Sequence, residues 1–162
     1  GTVRTRLQDS VNGAGTSSDI NSEEGVLFAE VGVLANEALN KRIALSDGTN
    51  NNRIVITLSG ANVSTLVRVN NVTEVATSSF TLGDITDLNK YAFKYKENDF
   101  ALWVNGVEVR TDDIGLTFPI NTLTELNLED GGSGANLFGK TSQVQVFNTA
   151  LSDFELTQLT TI

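Results

Sequence analysis

The sequence predicts an all-β protein, a two-sheet antiparallel jelly-roll sandwich with one short C-terminal helix. Three observations point there. Ser, Thr and Asn make up about 30% of the 162 residues while Ala, Lys and Gln are sparse, a balance that favours strands and turns over helices. Short runs of alternating polarity recur at spacings near ten residues. The stretches between them carry turn chemistry: Asp47-Gly48-Thr49-Asn50-Asn51-Asn52, Ser59-Gly60-Ala61-Asn62 and Asp130-Gly131-Gly132-Ser133-Gly134. No internal repeat or linker-like shift divides the chain, so residues 1–162 read as a single domain.

In chain order the expected strands are Gly25–Leu34, Arg42–Leu45, Arg53–Ser59, Thr65–Val69, Ser79–Leu82, Tyr91–Lys96, Phe100–Val104, Val107–Arg110, Thr122–Leu128 and Thr141–Phe147. Val63–Val75 as a whole is strand-rich. The helix is expected at the end: Ser152 and Glu155 form a capping box, and Leu151, Phe154, Leu156 and Leu159 supply an apolar stripe that would seal one edge of the sandwich.

Register is most legible between Tyr91 and Arg110. Asn105-Gly106 is a strong two-residue hairpin signal, setting Val104 against Val107 and Trp103 against Glu108. A turn at Glu97-Asn98 sets Tyr95 against Phe100. Together they place Tyr91, Phe93, Tyr95, Phe100, Leu102, Val104, Val107 and Val109 on one buried face. Ala92, Lys94, Ala101, Trp103, Glu108 and Arg110 fall on the other, so the single Trp points away from the core.

Composition excludes several chemistries. With no His and no Cys, the chain lacks Ser-His-Asp and Cys-His nucleophile systems, an imidazole base, and His- or Cys-ligated metal sites. Twenty acidic against eleven basic residues give a net charge of -9, and the cations are spread singly from Arg4 to Lys140, which argues against a nucleic-acid partner. No apolar run reaches the roughly 18 residues of a membrane span, so membrane insertion is not expected. A start at Gly1-Thr2-Val3-Arg4, without Met, reads as an excised or processed fragment of a larger protein rather than a signal peptide.

Tyr91-Ala-Phe-Lys-Tyr-Lys96, followed by Phe100-Ala-Leu-Trp-Val-Asn-Gly-Val-Glu-Val109, resembles the paired strands of laminin-G-like, concanavalin A-like jelly-roll domains. Phe138-Gly-Lys140, Val144-Gln-Val-Phe147 and Ala150-Leu-Ser-Asp-Phe-Glu-Leu156 are similar to that family's last strand and terminal helix. Ser22-Glu-Glu-Gly-Val-Leu-Phe-Ala-Glu30 and Arg42-Ile-Ala-Leu-Ser-Asp-Gly48 resemble versions in bacteriophage tail and virion structural proteins. The likeness spans about residues 20–160 and implies a glycan- or protein-binding module. Members often hold calcium through an acidic residue after the gly-lys of the last strand; here that position is Ser142, which leaves a calcium ion open.

Trp103 is the first candidate ligand-binding residue, a sugar-stacking platform with Lys94, Glu108 and Arg110 around it to bond hydroxyls. The alternative is that the indole packs under a loop or against another subunit, in which case a structural role gains. The loops Asp47–Asn52 and Glu129–Asn136 offer Asp47, Asn50, Asp130 and Asn136 as further hydroxyl-binding groups, against a reading as ordinary turns. Glu125-Leu-Asn-Leu-Glu129 resembles the catalytic strand of laminarinase-type glucanases, but with Asn127 at the central acid position. Residues four apart in a strand stand about 13 Å from one another, whereas retaining hydrolysis needs carboxyls about 5–5.5 Å apart. The expectation is therefore a non-catalytic carbohydrate-binding module of a phage tail or virion surface, or otherwise extracellular. Its partners would be a cell-surface or free polysaccharide, and homo-oligomer or virion subunits. The alternatives are a structural assembly domain, or a glycoside hydrolase or polysaccharide lyase.

Overall fold

The computed structural model describes residues 13–132 and 134–162, and the opening Gly1–Arg4 lies outside the described residues. The elements are β1 (Glu24–Val33), β2 (Lys41–Ser46), β3 (Arg53–Ser59), β4 (Asn62–Val69), β5 (Val72–Ala76), β6 (Phe80–Thr81), β7 (Asn89–Lys96), β8 (Phe100–Val104), β9 (Val107–Asp112), β10 (Glu125–Asn127), β11 (Gly139–Phe147) and α1 (Asp153–Thr160). They form the expected sandwich of two antiparallel sheets. One has the order β11-β1-β7-β8-β9; the other has β10-β2-β3-β4-β5, with β6 beside β4. Among the described residues no helix is long and apolar enough to cross a membrane.

Side chains alternate along each strand, so every second residue enters the space between the sheets. Ile43, Leu45, Ile54, Ile56 and Leu58 enter from one sheet, and Leu27, Tyr91, Phe93, Tyr95, Phe100 and Leu102 from the other. Each fully buried side chain of this size contributes about 1.5–3 kcal/mol from apolar burial alone. The predicted aromatic face therefore holds from Tyr91 to Val104. Val107 is a correction: it sits opposite Val104 at the hairpin tip, beyond the core, and is 60% exposed.

Turn chemistry sets the registers. Asn105 (φ 48°) and Gly106 (φ 83°) both adopt positive φ, the geometry that matches the strand twist in a two-residue hairpin, and Trp103 does pair with Glu108. Asn70 (φ 48°) and Asn71 (φ 65°) build a second such turn, which pairs β4 with β5, a strand the sequence left undivided within Val63–Val75. β10 keeps only Glu125–Asn127 of the longer strand expected there.

Trp103 does project from the outer face of its sheet, but it is not open. It is 7% exposed, packed with Val26, Phe28, Ala92, Ala101 and Leu156, and flanked by Phe147, Leu151 and Leu159. The cover is α1. Its N-terminus is fixed by the predicted box: Glu155 N–H donates to Ser152 Oγ (3.4 Å), and Ser152 N–H donates to the Glu155 carboxylate (2.8 Å). At the other end Gly106 N–H donates to Thr160 Oγ1 (3.1 Å) and Lys90 Nζ to the Thr161 carbonyl (2.7 Å). The helix thus seals a sheet face rather than an edge, and Phe154, expected in its apolar stripe, is 74% exposed.

Removing the Leu156 side chain, which is fully buried against Trp103, should destabilise the protein by about 2–5 kcal/mol. Chemical denaturation of Leu156→Ala checks this. Because Trp103 is the only Trp, its emission should also shift to the red in the native state of the variant.

Candidate functional site

The expected Trp103 group is only partly assembled. Lys94 lies on the same outer face but is buried, with Nζ 2.5 Å from Asp99 and 3.9 Å from Asp153. Glu108 is exposed, and its carboxyl is held above the usual range by burial first and then by Asp153; Lys94 acts against this, and Asp99 and Asp113 act with it. Arg110 is a second correction. A bulge makes Leu102 pair with Arg110 while Trp103 pairs with Glu108, so Val109 is the extra residue and Arg110 turns to the opposite face. Its guanidinium latches the two sheets together there. Nε donates to the Ser78 carbonyl (3.0 Å) and hydroxyl (2.9 Å), Nη2 donates to the Ser79 carbonyl (2.5 Å), and the Phe80 ring centroid lies 5.6 Å away. With the indole covered and Arg110 redirected, this face offers no open stacking platform.

The loop candidates fare differently. Asp47 organises its own loop: Oδ1 accepts from the Thr49 N–H (2.9 Å) and hydroxyl (2.6 Å), and Oδ2 from Asn52 Nδ2 (2.8 Å). Asn50 and Asp130 converge on Arg53, whose Nη1 donates to Asn50 Oδ1 and to the Asp130 carbonyl (2.8 Å). Asp130 Oδ1 also accepts from Gly132 N–H (2.9 Å) and Gly134 N–H (3.1 Å), which curls the loop over the sheet. Asn136 stands apart, on the rim of a separate pocket with Leu34 and Phe138.

What these loops frame is a row of arginines that the sequence reading scattered. Arg42, Arg53 and Arg68 occupy outward positions of β2, β3 and β4, beside Ala44, Val55, Thr57, Ser64 and Leu66. Arg53 and Arg68 are directly opposite in register. Like charges so placed repel, and they need an anion to share. Asp130 partly supplies one: its Oδ2 is 3.5 Å from Arg42 Nη1 and 3.8 Å from Arg53 Nη1. Among the described residues no ion pair joins Arg68 to a carboxylate. The Nε atoms of both Arg53 and Arg68 are buried and have no hydrogen-bond partner among the described residues. Burial lowers the Arg53 proton affinity; Asp130 acts against this, and Arg42 and Arg68 reinforce it. Ser46 and Asn127 complete one end, with Asn127 Nδ2 donating to Ser46 Oγ (3.0 Å).

A signal for this row was present in the sequence. The Gly60-Ala61 turn pairs Ser59 with Asn62, and counting outward from it brings Arg53 opposite Arg68. Chemically, the site presents planar, permanently charged donor forks on a rigid sheet beside hydroxyl and amide groups, an arrangement suited to an anionic, hydroxyl-rich ligand. Glu125, one half of the glucanase-like pair, lies on this same face, its carboxyl against the Gly13 and Gly48 turns. Among the described residues no group of three acidic side chains is placed to hold a metal, and Ser142 lies exposed on β11.

The internal hydrogen bonds of Asp47 give a pH prediction. Burial acts to raise its pKa, but the bonds from Thr49 and Asn52 outweigh it and hold the carboxyl below the ordinary value. A depressed folded-state pKa adds stability above the unfolded value of about 3.9, and that stability is lost as pH falls through the folded value. Asp47→Asn should therefore be less stable than wild type at neutral pH, with the gap closing below about pH 4, as read by thermal melts across pH.

No protein-family model matches the chain, and no curated protein sequence matches it. Solved structures do. The CBM40 module of the Ruminococcus gnavus IT-sialidase superposes with a TM-score of 0.73 at 18% identity, covering 96% of this chain and 99% of that one. The same module bound to α2,3-sialyllactose gives 0.71 at 19% identity over the whole of both chains. The NanB sialidase of Streptococcus pneumoniae gives 0.73 at 19% identity, with 95% of this chain matching only 27% of that longer one. A heptameric SAP-like pentraxin from Limulus polyphemus gives 0.69 at 10% identity over 98% of this chain and 78% of that one. At such identities the likeness is one of fold, and that fold is the two-sheet antiparallel jelly roll expected from the sequence.

Proposed function

We propose that this protein is a non-catalytic carbohydrate-binding module, and that it takes an acidic glycan on the arginine-lined outer face of the β2-β3-β4 sheet. The observation that carries this reading is the row of Arg42, Arg53 and Arg68, in which Asp130 reaches only Arg42 and Arg53 and, among the described residues, the Nε donors of Arg53 and Arg68 are unspent. A carboxylated sugar would supply the missing anion, and its hydroxyls would meet Thr57, Ser64 and the Asn50 loop. The CBM40 module that superposes over its full length binds sialyllactose, which supports a sialic-acid-type ligand here. Binding by few contacts is weak per site, and repeated copies in an assembly would add avidity. A phage tail or virion surface is the setting that the sequence resemblance favours, and it would provide such copies.

The covered Trp103 favours a second reading, a structural domain of a larger assembly, because the stacking face expected from the sequence is occupied by the protein's own helix.

Calorimetry with sialyllactose and with lactose separates the two. The binding module should take sialyllactose and not lactose, and Arg53→Gln or Arg68→Gln should weaken it at least about tenfold, the value of a charge-assisted hydrogen bond. Equal affinity for both sugars would remove the anion from the proposal. No response to any acidic glycan on an array would leave the structural reading.

A further inference from the structure

A second pocket lies beside the Arg42 end of the arginine row, at the end of the sandwich where β1 runs out and β2 and β11 begin. A pocket of about 640 Å³ opens there between the loop before Lys41 and the segment before Gly139. That volume falls within the roughly 300–1,000 Å³ typical of small-molecule sites. Its mouth is apolar: Leu34 is 58% exposed, Leu39 67% and Phe138 43%, three large hydrocarbon side chains around one opening. Isolated exposed apolar residues are ordinary, whereas a ring of them on a concavity is not.

Lys41 also lines this pocket and is only 5% exposed. Its Nζ donates to the carbonyls of Glu37 (3.3 Å) and Leu39 (3.2 Å). An ammonium carries three donors, so these leave one, and among the described residues no carboxylate forms an ion pair with it. A buried cation held only by carbonyl dipoles is poorly compensated, and an entering anion would relieve it. Glu37, exposed on the rim, is the opposing charge.

The geometry points to a binding site for a small amphipathic anion: a carboxylate head on Lys41 and a compact hydrocarbon body against Leu34, Leu39 and Phe138. None of Arg42, Arg53 and Arg68 lines this pocket.

Decanoate, with decanol as its uncharged counterpart, tests it by titration calorimetry on the whole chain. Decanoate should bind, with decanol about tenfold weaker. Lys41→Met should lower decanoate affinity about tenfold while leaving decanol binding unchanged. Leu39→Ser, at an exposed position that cannot disturb the core, should weaken both. Glu37→Gln should strengthen decanoate by about twofold as the rim charge is removed. Equal binding of decanoate and decanol, or decanoate affinity unchanged in Lys41→Met, would overturn the anionic head. Loss of decanoate binding in Arg53→Gln would overturn its placement in this pocket, and no binding by the wild type at millimolar decanoate would overturn the site itself.

Discussion

The contact between Leu156 and the patch of Val26, Phe28 and Trp103 decides which outer face of the sandwich is closed. A sheet packed on one side can present the other to solvent, but the sheet of β7 and β8 is closed on both. Its inner aromatics meet the opposite sheet, and its outer indole meets α1. The strongest aromatic feature of the chain is thereby spent on stability. The other sheet carries arginines among the small and apolar groups of its outward face.

That second face is electrostatically unfinished. Eleven cations serve a chain of net charge -9, yet three of them stand on adjacent strands of one sheet. Asp130 reaches them only because its own loop is curled by Gly132 and Gly134, which brings one carboxylate between Arg42 and Arg53. Desolvated guanidiniums with unspent donors are costly to keep, so this arrangement is not a source of stability. On a rigid sheet the forks need little reordering to meet an anion.

Much of the fold was legible because it rests on local rules. The Asn105-Gly106 hairpin, the Ser152 capping box and the alternating face from Tyr91 to Val104 each follow from a few neighbouring residues. The Asn70-Asn71 turn was as local, but it lacks glycine, and two consecutive asparagines at positive φ are a weaker signal. The direction of Trp103 was readable from strand parity, whereas its cover was not, since α1 docks across about fifty residues of intervening chain. The arginine row lay between these cases: strand register placed it, and only the assumption that scattered cations stay scattered concealed it. Nothing in Val107–Asp112 announces the bulge, which is settled by how β9 must bend at the sheet margin.

That bulge makes β9 change phase midway. Ahead of Val109 the strand answers to the helix, through Glu108 beside Trp103; beyond it, Arg110 answers to the opposite layer through Ser78 and Phe80. One residue of surplus backbone lets a single marginal strand serve three layers. Were Val109 instead paired regularly with Leu102, Arg110 would fall opposite Ala101 and turn to the helix side, unfastening its clasp without altering a single chemical group in it.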